Sequence, residues 1–339
     1  MSLFLAVILF VATTLVILFA GTALTRYADK LADKTGLGEA LVGAVFLGGV
    51  TSISGIVTSV VAAFNNHPEL AVSNAIGGIA AQTVFLSIAD MSYRKTNLEH
   101  ASASLPNLMQ GVLLLGMLTI VILGIVSPDF TLLGIHPLSY VMILVYLGGT
   151  RMIARSKEKP MWGAITTLST VKDVPVKENI KNTRLSSLLF KFALLSILVG
   201  GAGYVIGVTG ITIADKTVLS ESFVGTLFTA VATSIPELVV SLAAVRQRAL
   251  TLAVGNIIGG NTFDVLFVAF SDVAYQKGSI LHSITDEQLF IIAITMLMVS
   301  ILIMGLFHRQ PRGIANIGWE SALIIVLYIV GNGSLYFLF

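Results

Sequence analysis

Runs of about twenty apolar residues recur along the chain and alternate with short polar stretches. Each run is long enough to cross the roughly 30 Å hydrocarbon core of a bilayer as a helix. The two-residue alternation of a membrane β-barrel is absent. The pattern therefore predicts ten transmembrane helices, at Phe4 to Leu24, Leu37 to Phe64, Leu70 to Met91, Leu105 to Val126, Tyr140 to Ile153, Leu188 to Val208, Phe223 to Val245, Leu252 to Ala274, Leu289 to Leu306 and Trp319 to Phe339. The fifth run is short, so we expect its helix to begin nearer Leu132.

Composition supports the membrane interpretation, since 55% of the 339 residues are apolar and only 11% are charged. The chain has no cysteine, which excludes disulfides, thiolate metal sites and cysteine nucleophiles. No pairing of a nucleophile with a base is visible within the apolar runs, so an enzyme is not expected. No cofactor and no obligate protein partner is indicated either.

Basic residues fall on one side of the predicted membrane. When the loops are assigned to alternate sides, 17 of the 20 Lys and Arg residues share a side. The positive-inside rule then places both termini outside and the central loop in the cytoplasm, in the inner (cell) membrane. Basic loops can also bind nucleic acid, but a role as topology signals beside the lipid headgroups is the favoured interpretation, and no nucleic-acid partner is expected.

The chain contains an internal repeat. A shift of 182 residues aligns residues 32–95 with 214–277 without a gap, and 26 of the 64 pairs are identical. The copies are five helices apart, an odd number, so they must cross the membrane in opposite directions, as in many secondary transporters. The predicted organisation is a first five-helix repeat (1–155), a cytoplasmic loop (156–187) and a second five-helix repeat (188–339). Duplication for stability alone is the alternative.

Two acids lie inside the apolar runs of the second copy, Glu237 and Asp264. A charge at the bilayer centre costs about 3 kcal/mol, so both are functional candidates. Thr233 and Ser234 lie one helical turn before Glu237, and Pro236 is expected to kink or break that helix and free carbonyl groups. Carboxylate, hydroxyl and carbonyl oxygens are ligands that hard cations such as Na⁺ and Ca²⁺ favour. The pattern predicts a cation site.

The first copy supplies polar partners for this site but no acid. Gly55 stands at the position of Glu237, and Ile79 at that of Asn261, which adds an amide in the second copy. Asp90 and Asp272 lie near the ends of the third and eighth helices and are expected to face an interface or to form a cap, with a cation-ligand role as the second choice. The first-copy equivalents of Thr233, Ser234 and Asp264 are Thr51, Ser52 and Gln82.

The segment "ATSIPELVVSL" followed by "GNIIGGNTFDVLF" resembles the second signature repeat of the calcium/cation antiporter superfamily, which includes the sodium/calcium exchangers. The segment "ADKLADKTGLGEALVGAVFLGG" leading into "TS" resembles the corresponding part of the first repeat. The resemblance extends over essentially the whole chain. It implies an all-α membrane protein whose two inverted five-helix units surround a row of sites where Na⁺ and Ca²⁺ alternate.

The resemblance implies a secondary active antiporter that exchanges Ca²⁺ or another cation against Na⁺ by alternating access. Because a glutamate of the family pattern is replaced by Gly55, altered coupling to H⁺ or K⁺, a uniporter or a non-transporting sensor remain alternatives. Restoring the acid with Gly55→Glu is expected to raise the affinity for divalent cations. Gly78, Ile79 and Gly260 also depart from the pattern. The residues carried over to the site are Thr51, Ser52, Gln82, Thr233, Ser234, Glu237 and Asp264.

Overall fold

The computed structural model describes residues 1–35, 48–93, 95–158, 162–167, 170, 184–311, 313 and 317–338. The regular secondary structure of these residues is helical, and a single isolated β-bridge joins Leu132 and Ile135. Nine helices in the described part are long and apolar enough to cross a membrane, and one further apolar helix is shorter. The expectation of an all-helical membrane protein is confirmed.

We number the helices in chain order as α1 Leu3–Ala32, α2 Ile53–Phe64, α3 Pro68–Ser92, α4 Leu105–Val126, α5 Pro137–Ser156, α6 Leu185–Lys216, α7 Glu221–Arg246, α8 Leu250–Ala274, α9 Asp286–His308 and α10 Trp319–Phe337. The helix α2 is the short one, because the chain turns at Ser52 directly before it; residues 37–47 of the predicted span lie outside the described residues. The fifth helix does not begin near Leu132. That stretch forms a turn, with Leu133 and Gly134 at positive φ, and α5 starts at Pro137, whose fixed φ suits a first helical turn.

The helices that carry the polar residues lie at the centre of the molecule. In α3, 89% of the most apolar 18-residue stretch is buried inside the protein, against 17% in α1. The helix α3 packs against α2, α7, α8, α9 and α10, while α2 also packs against α6 and α8. A helix that is surrounded by other helices can keep polar side chains away from lipid, which lowers the cost of placing them in a membrane.

Pro236 does not break its helix, so of the two outcomes expected from sequence, a kink or a break, the break is wrong. The α-helical segment Ala230–Arg246 runs through it without interruption, and a π-helical turn, Val224–Thr229, lies two turns earlier. The proline ring instead packs closely on α1, where a Cβ added to Gly21 would lie 2.6 Å from Pro236 Cγ. Gly21 ends a second π-helical turn, Ile17–Gly21. The proline therefore acts as a contact between α7 and a glycine of α1.

Asp90 and Asp272 hold neighbouring backbone, as expected from their positions at helix ends. Asp90 accepts hydrogen bonds from Leu98 N at 2.7 Å and Gly318 N at 3.2 Å. Asp272 accepts one from Ile280 N at 2.8 Å through its Oδ1. Leu98 and Ile280 occupy equivalent positions of the two copies, eight residues after their aspartates. Both carboxylates thus accept hydrogen bonds from backbone N–H groups beyond the ends of their helices, in place of backbone carbonyl groups.

A half-buried ion pair joins the two copies at one membrane surface. His67 precedes α3, and its Nδ1 lies 2.7 Å from Glu221 Oε1 at the start of α7. Glu221 also accepts a hydrogen bond from Leu70 N at 3.3 Å. The hydrogen bond to Glu221 raises the pKa of the His67 imidazole above its ordinary value of 6.5.

This pair predicts a pH-dependent stability. Because the folded-state pKa of His67 is raised, the pair stabilises the protein fully below pH 6.5 and loses its contribution as pH rises through that raised pKa. We expect His67→Gln to lower the free energy of unfolding by about 1 kcal/mol near pH 6 and much less at pH 9. Thermal unfolding of the unsubstituted protein, His67→Gln, Glu221→Gln and the double variant at both pH values measures the contribution of the pair. Additive losses in the double variant would contradict the pairing.

Candidate cation site

Two interruptions in the helices place polar side chains at the centre of the bundle. Residues 48–51 are helical, the chain turns at Ser52, and α2 follows from Ile53. In α8, the helix is interrupted at Val265, between the segments Leu250–Asp264 and Leu266–Ala274. Ser52 and Asp264 therefore lie at ends of helical segments, although the bonds from Ser52 N to Gly48 O and from Val265 N to Asn261 O keep the backbone close to helical.

Asp264 ties three helical elements together. Its Oδ1 accepts a hydrogen bond from Ser52 Oγ at 2.6 Å, and its Oδ2 accepts one from Gln82 Nε2 at 2.6 Å. The same Gln82 amide also donates to Ser234 Oγ at 3.3 Å. Asp264 is 2% exposed, so these donors compensate for the water that its carboxylate has lost. Both oxygens of this acid already have a protein partner.

Gln82 and Asp264 are also equivalent positions of the internal repeat. They are 182 residues apart in sequence and in direct contact in the structure. Two equivalent residues can touch only where the two copies meet, so this contact marks the junction between them. Gln82 Oε1 is buried and has no hydrogen-bond partner among the described residues.

Glu237 is half-buried as a residue, but its Oε2 is buried and has no hydrogen-bond partner in the described part of the chain. The neighbouring hydroxyl of Thr233 is directed to its own helix and donates to Thr229 O at 2.9 Å. A buried carboxylate oxygen without a donor is costly unless a cation or a proton occupies the space beside it.

These groups surround a small internal cavity. About 10 Å³ of it is open to the centre of a water-sized sphere, which is room for about one water molecule or small ion. The described residues that line it come from α3, α7, α8 and the start of α2, and they are Ser52, Gly55, Asn74, Gly78, Gln82, Thr233, Ser234, Glu237, Asp264 and Phe267. An oxygen-rich cavity of this size inside a membrane protein is suited to a dehydrated cation.

Six of the eight residues predicted for the site line this cavity, and two do not. Thr51 donates to Gly48 O at 3.1 Å. Asn261 donates to Thr83 Oγ1 at 3.2 Å and more weakly to Ile79 O. Both are outside the lining. The six that the structure brings together are Ser52, Gln82, Thr233, Ser234, Glu237 and Asp264.

Phe267 is the lining residue that reasoning from sequence missed. It follows Asp264 by three residues, so helical spacing places it on the same face of α8, and that spacing was the signal available. Asn74, which also lines the cavity, is the first-copy equivalent of Asn256. Its amide donates to Ser59 Oγ at 2.8 Å, and its Oδ1 accepts from Thr229 Oγ1 at 2.7 Å, so it fixes the wall between α2 and α7.

The fold and the cavity together define a helical membrane protein built around a buried, oxygen-lined site of ionic size. The chain belongs to the sodium/calcium exchanger protein family, whose model matches residues 5–152 and 186–337. This confirms the superfamily that the signature segments indicated.

Individual relatives are more distant. An uncharacterized membrane protein of Methanocaldococcus jannaschii is 24% identical over 91% of this chain and 90% of its own length. The sodium/calcium exchanger MaX1 of Methanosarcina acetivorans is 28% identical, over 39% of this chain and 38% of that protein. Among solved structures, the H⁺/Ca²⁺ exchanger CAX matches 96% of this chain and 81% of its own with a TM-score of 0.67 at 13% identity. The sodium-calcium exchanger NCX_Mj matches 98% and 99%, with a TM-score of 0.61 at 18% identity.

Proposed function

We propose that the protein is a secondary active cation antiporter that moves Na⁺ through this cavity in exchange for Ca²⁺ or another cation. The observation that carries the proposal is the buried Glu237 oxygen without a protein partner, beside a second carboxylate, in a cavity of ionic size. Membership in the exchanger family and the names of the matched exchangers support the same activity. The eight predicted residues, Thr51 and Asn261 included, remain the proposed ion-binding set.

The proposed frame is ten transmembrane helices arranged as two inverted five-helix repeats, 1–155 and 188–339, joined by a cytoplasmic loop, 156–187. Two observations support it. Gln82 and Asp264 meet as equivalent residues, and the aspartates at 90 and 272 make equivalent backbone contacts. In alternating access, one unit rocks against the other around a site at their junction. We place the protein in the cell membrane with both termini outside, from the distribution of Lys and Arg.

Ion flux into proteoliposomes tests the proposal. With ²²Na⁺ trapped inside, we expect external Na⁺, or one of Ca²⁺, H⁺ and K⁺, to accelerate its release well above the rate of protein-free liposomes. Acceleration by a counter-ion is the property of an exchanger, because the loaded site must reorient. Release that is independent of every external cation would indicate a uniporter, and no release at all would indicate a non-transporting sensor; either result contradicts the antiporter.

The second candidate, an exchanger fold with altered coupling, is favoured by one specific observation. Gly55 occupies the first-copy position equivalent to Glu237, so the cavity has no acid from that copy. The same flux experiment separates the two candidates, since it identifies which external cation accelerates the release.

A further inference from the structure

The space beside Gly55 is already filled. A Cβ built on Gly55 would lie 2.6 Å from Phe267 Cε2 and 3.2 Å from Phe267 Cζ. Carbon atoms at van der Waals contact are at least about 3.5 Å apart. No larger side chain therefore fits at residue 55 while the Phe267 ring keeps its place, and the part of the cavity wall that Gly55 and Phe267 form is hydrocarbon.

The Phe267 ring is held by other aromatic residues. It is 4% exposed, and it meets Phe263 edge-on at 6.3 Å between ring centroids. Phe263 in turn meets Tyr146 of α5 edge-on at 5.6 Å. Such contacts add about 1 kcal/mol each beyond simple burial. The ring is thus part of the packed core and not a mobile side chain in the cavity.

Few side-chain oxygens around the cavity lack a hydrogen-bond partner among the described residues. Both oxygens of Asp264 accept hydrogen bonds from Ser52 and Gln82, while Glu237 Oε2 and Gln82 Oε1 are buried without partners among the described residues. Glu237 is thus the carboxylate that offers an unpartnered oxygen to a cation, while the charge of Asp264 is already stabilised by two hydrogen-bond donors. Calcium takes about six to eight oxygen ligands, usually from several carboxylates, and a carbon wall on one side of a cavity of this size cannot provide them.

We propose that Phe267, packed against Gly55, is the specificity-determining residue of this cavity and that the cavity therefore takes a monovalent cation, Na⁺, in preference to a divalent one. The inference rests on the proposed function for its physiological meaning, but it concerns ion binding and can be tested without transport. It also corrects the expectation that Gly55→Glu alone raises the affinity for divalent cations, since the new side chain would collide with the Phe267 ring.

The test compares ion binding in four forms of the purified full-length protein: the unsubstituted chain, Gly55→Glu, Phe267→Ala, and the double variant. A ligand that binds the folded state raises Tm by mass action. At equal ionic strength, with choline as the reference cation, we expect Na⁺ to raise the Tm of the unsubstituted chain more than Ca²⁺ does. Gly55→Glu alone should lower Tm, and the double variant should recover it and bind Ca²⁺ at least about tenfold more tightly, because ligand charge sets calcium affinity.

Phe270→Ala, combined with Gly55→Glu, is the matched control. Phe270 lies one turn further along α8, packs against the core and does not line the cavity. That control should retain the low Tm of Gly55→Glu and gain no calcium binding. Two results would overturn the inference: a larger Tm increase from Ca²⁺ than from Na⁺ in the unsubstituted chain, or a folded double variant with unchanged Ca²⁺ affinity. A gain of Ca²⁺ binding in the double variant of a protein without flux would support the inference and reject the antiporter. Failure of the inference and failure of the proposed function are therefore distinguishable.

Discussion

Replacing Glu237 with glutamine reduces ²²Na⁺ flux in proteoliposomes to the level of protein-free liposomes. The substitution keeps the size of the side chain but removes the charge from the buried oxygen that has no protein partner. A hydrogen bond or contact to a charged group is worth about 3 kcal/mol at most, which corresponds to about a hundredfold weaker cation binding. We expect the Na⁺-dependent increase in Tm to disappear together with the flux.

The matched control is Glu287→Gln. Glu287 lies in the first turn of α9 and accepts a hydrogen bond from Ser220 Oγ at 3.1 Å, away from the cavity. It should leave both the flux and the Na⁺-dependent Tm unchanged. A Glu237→Gln protein that is folded and still transports ²²Na⁺ at the original rate would remove Glu237 from the site.

The charged part of the site could be predicted from sequence because the membrane makes it conspicuous. Placing an acid in an apolar run costs free energy that ordinary packing of its side chain does not offset. This cost identified Glu237 and Asp264 as functional candidates. The repeat then led to Ser52 and Gln82, which are neutral and would not stand out alone. Sequence could predict the composition of the site for this reason, but not the hydrogen bonds that engage both oxygens of Asp264.

The apolar part of the site could not be predicted. Phe267 is one of 18 phenylalanines, and its contact with Gly55 joins residues 212 apart that are not equivalent in the repeat. Helical spacing from Asp264 places Phe267 on the same face of α8, but it does not show which distant residue the ring contacts. Pro236 illustrates a similar limit, because its local preference for a helix break is overridden by packing against Gly21.

Asp272 provides the second large expected effect, on stability rather than on ion binding. It is completely buried, and its carboxylate accepts hydrogen bonds from His136 N at 2.8 Å, Ile280 N at 2.8 Å and Ser139 Oγ at 2.7 Å. Asp272→Ala leaves three buried donors without an acceptor, at about 1 to 3 kcal/mol each. The sum, about 3 to 9 kcal/mol, approaches the whole stability of an ordinary domain. We expect a large decrease in Tm and in the yield of folded protein.

This expectation separates a structural carboxylate from an ion ligand, which composition alone could not do for two aspartates in one apolar run. If Asp272 only holds backbone, the protein that does fold after Asp272→Asn should bind Na⁺ with unchanged affinity at a reduced Tm. Asp286→Asn, at an exposed acid in the first turn of α9, serves as the control and should alter neither quantity. The opposite pattern, an unchanged Tm with weakened Na⁺ binding, would make Asp272 a cation ligand and move the site toward the end of α8.

The contacts favour a structural role for Asp272. Every hydrogen bond of its carboxylate that the structure describes ends on a connecting segment or on the start of α5, whereas those of Asp264 end on the segments that enclose the cavity.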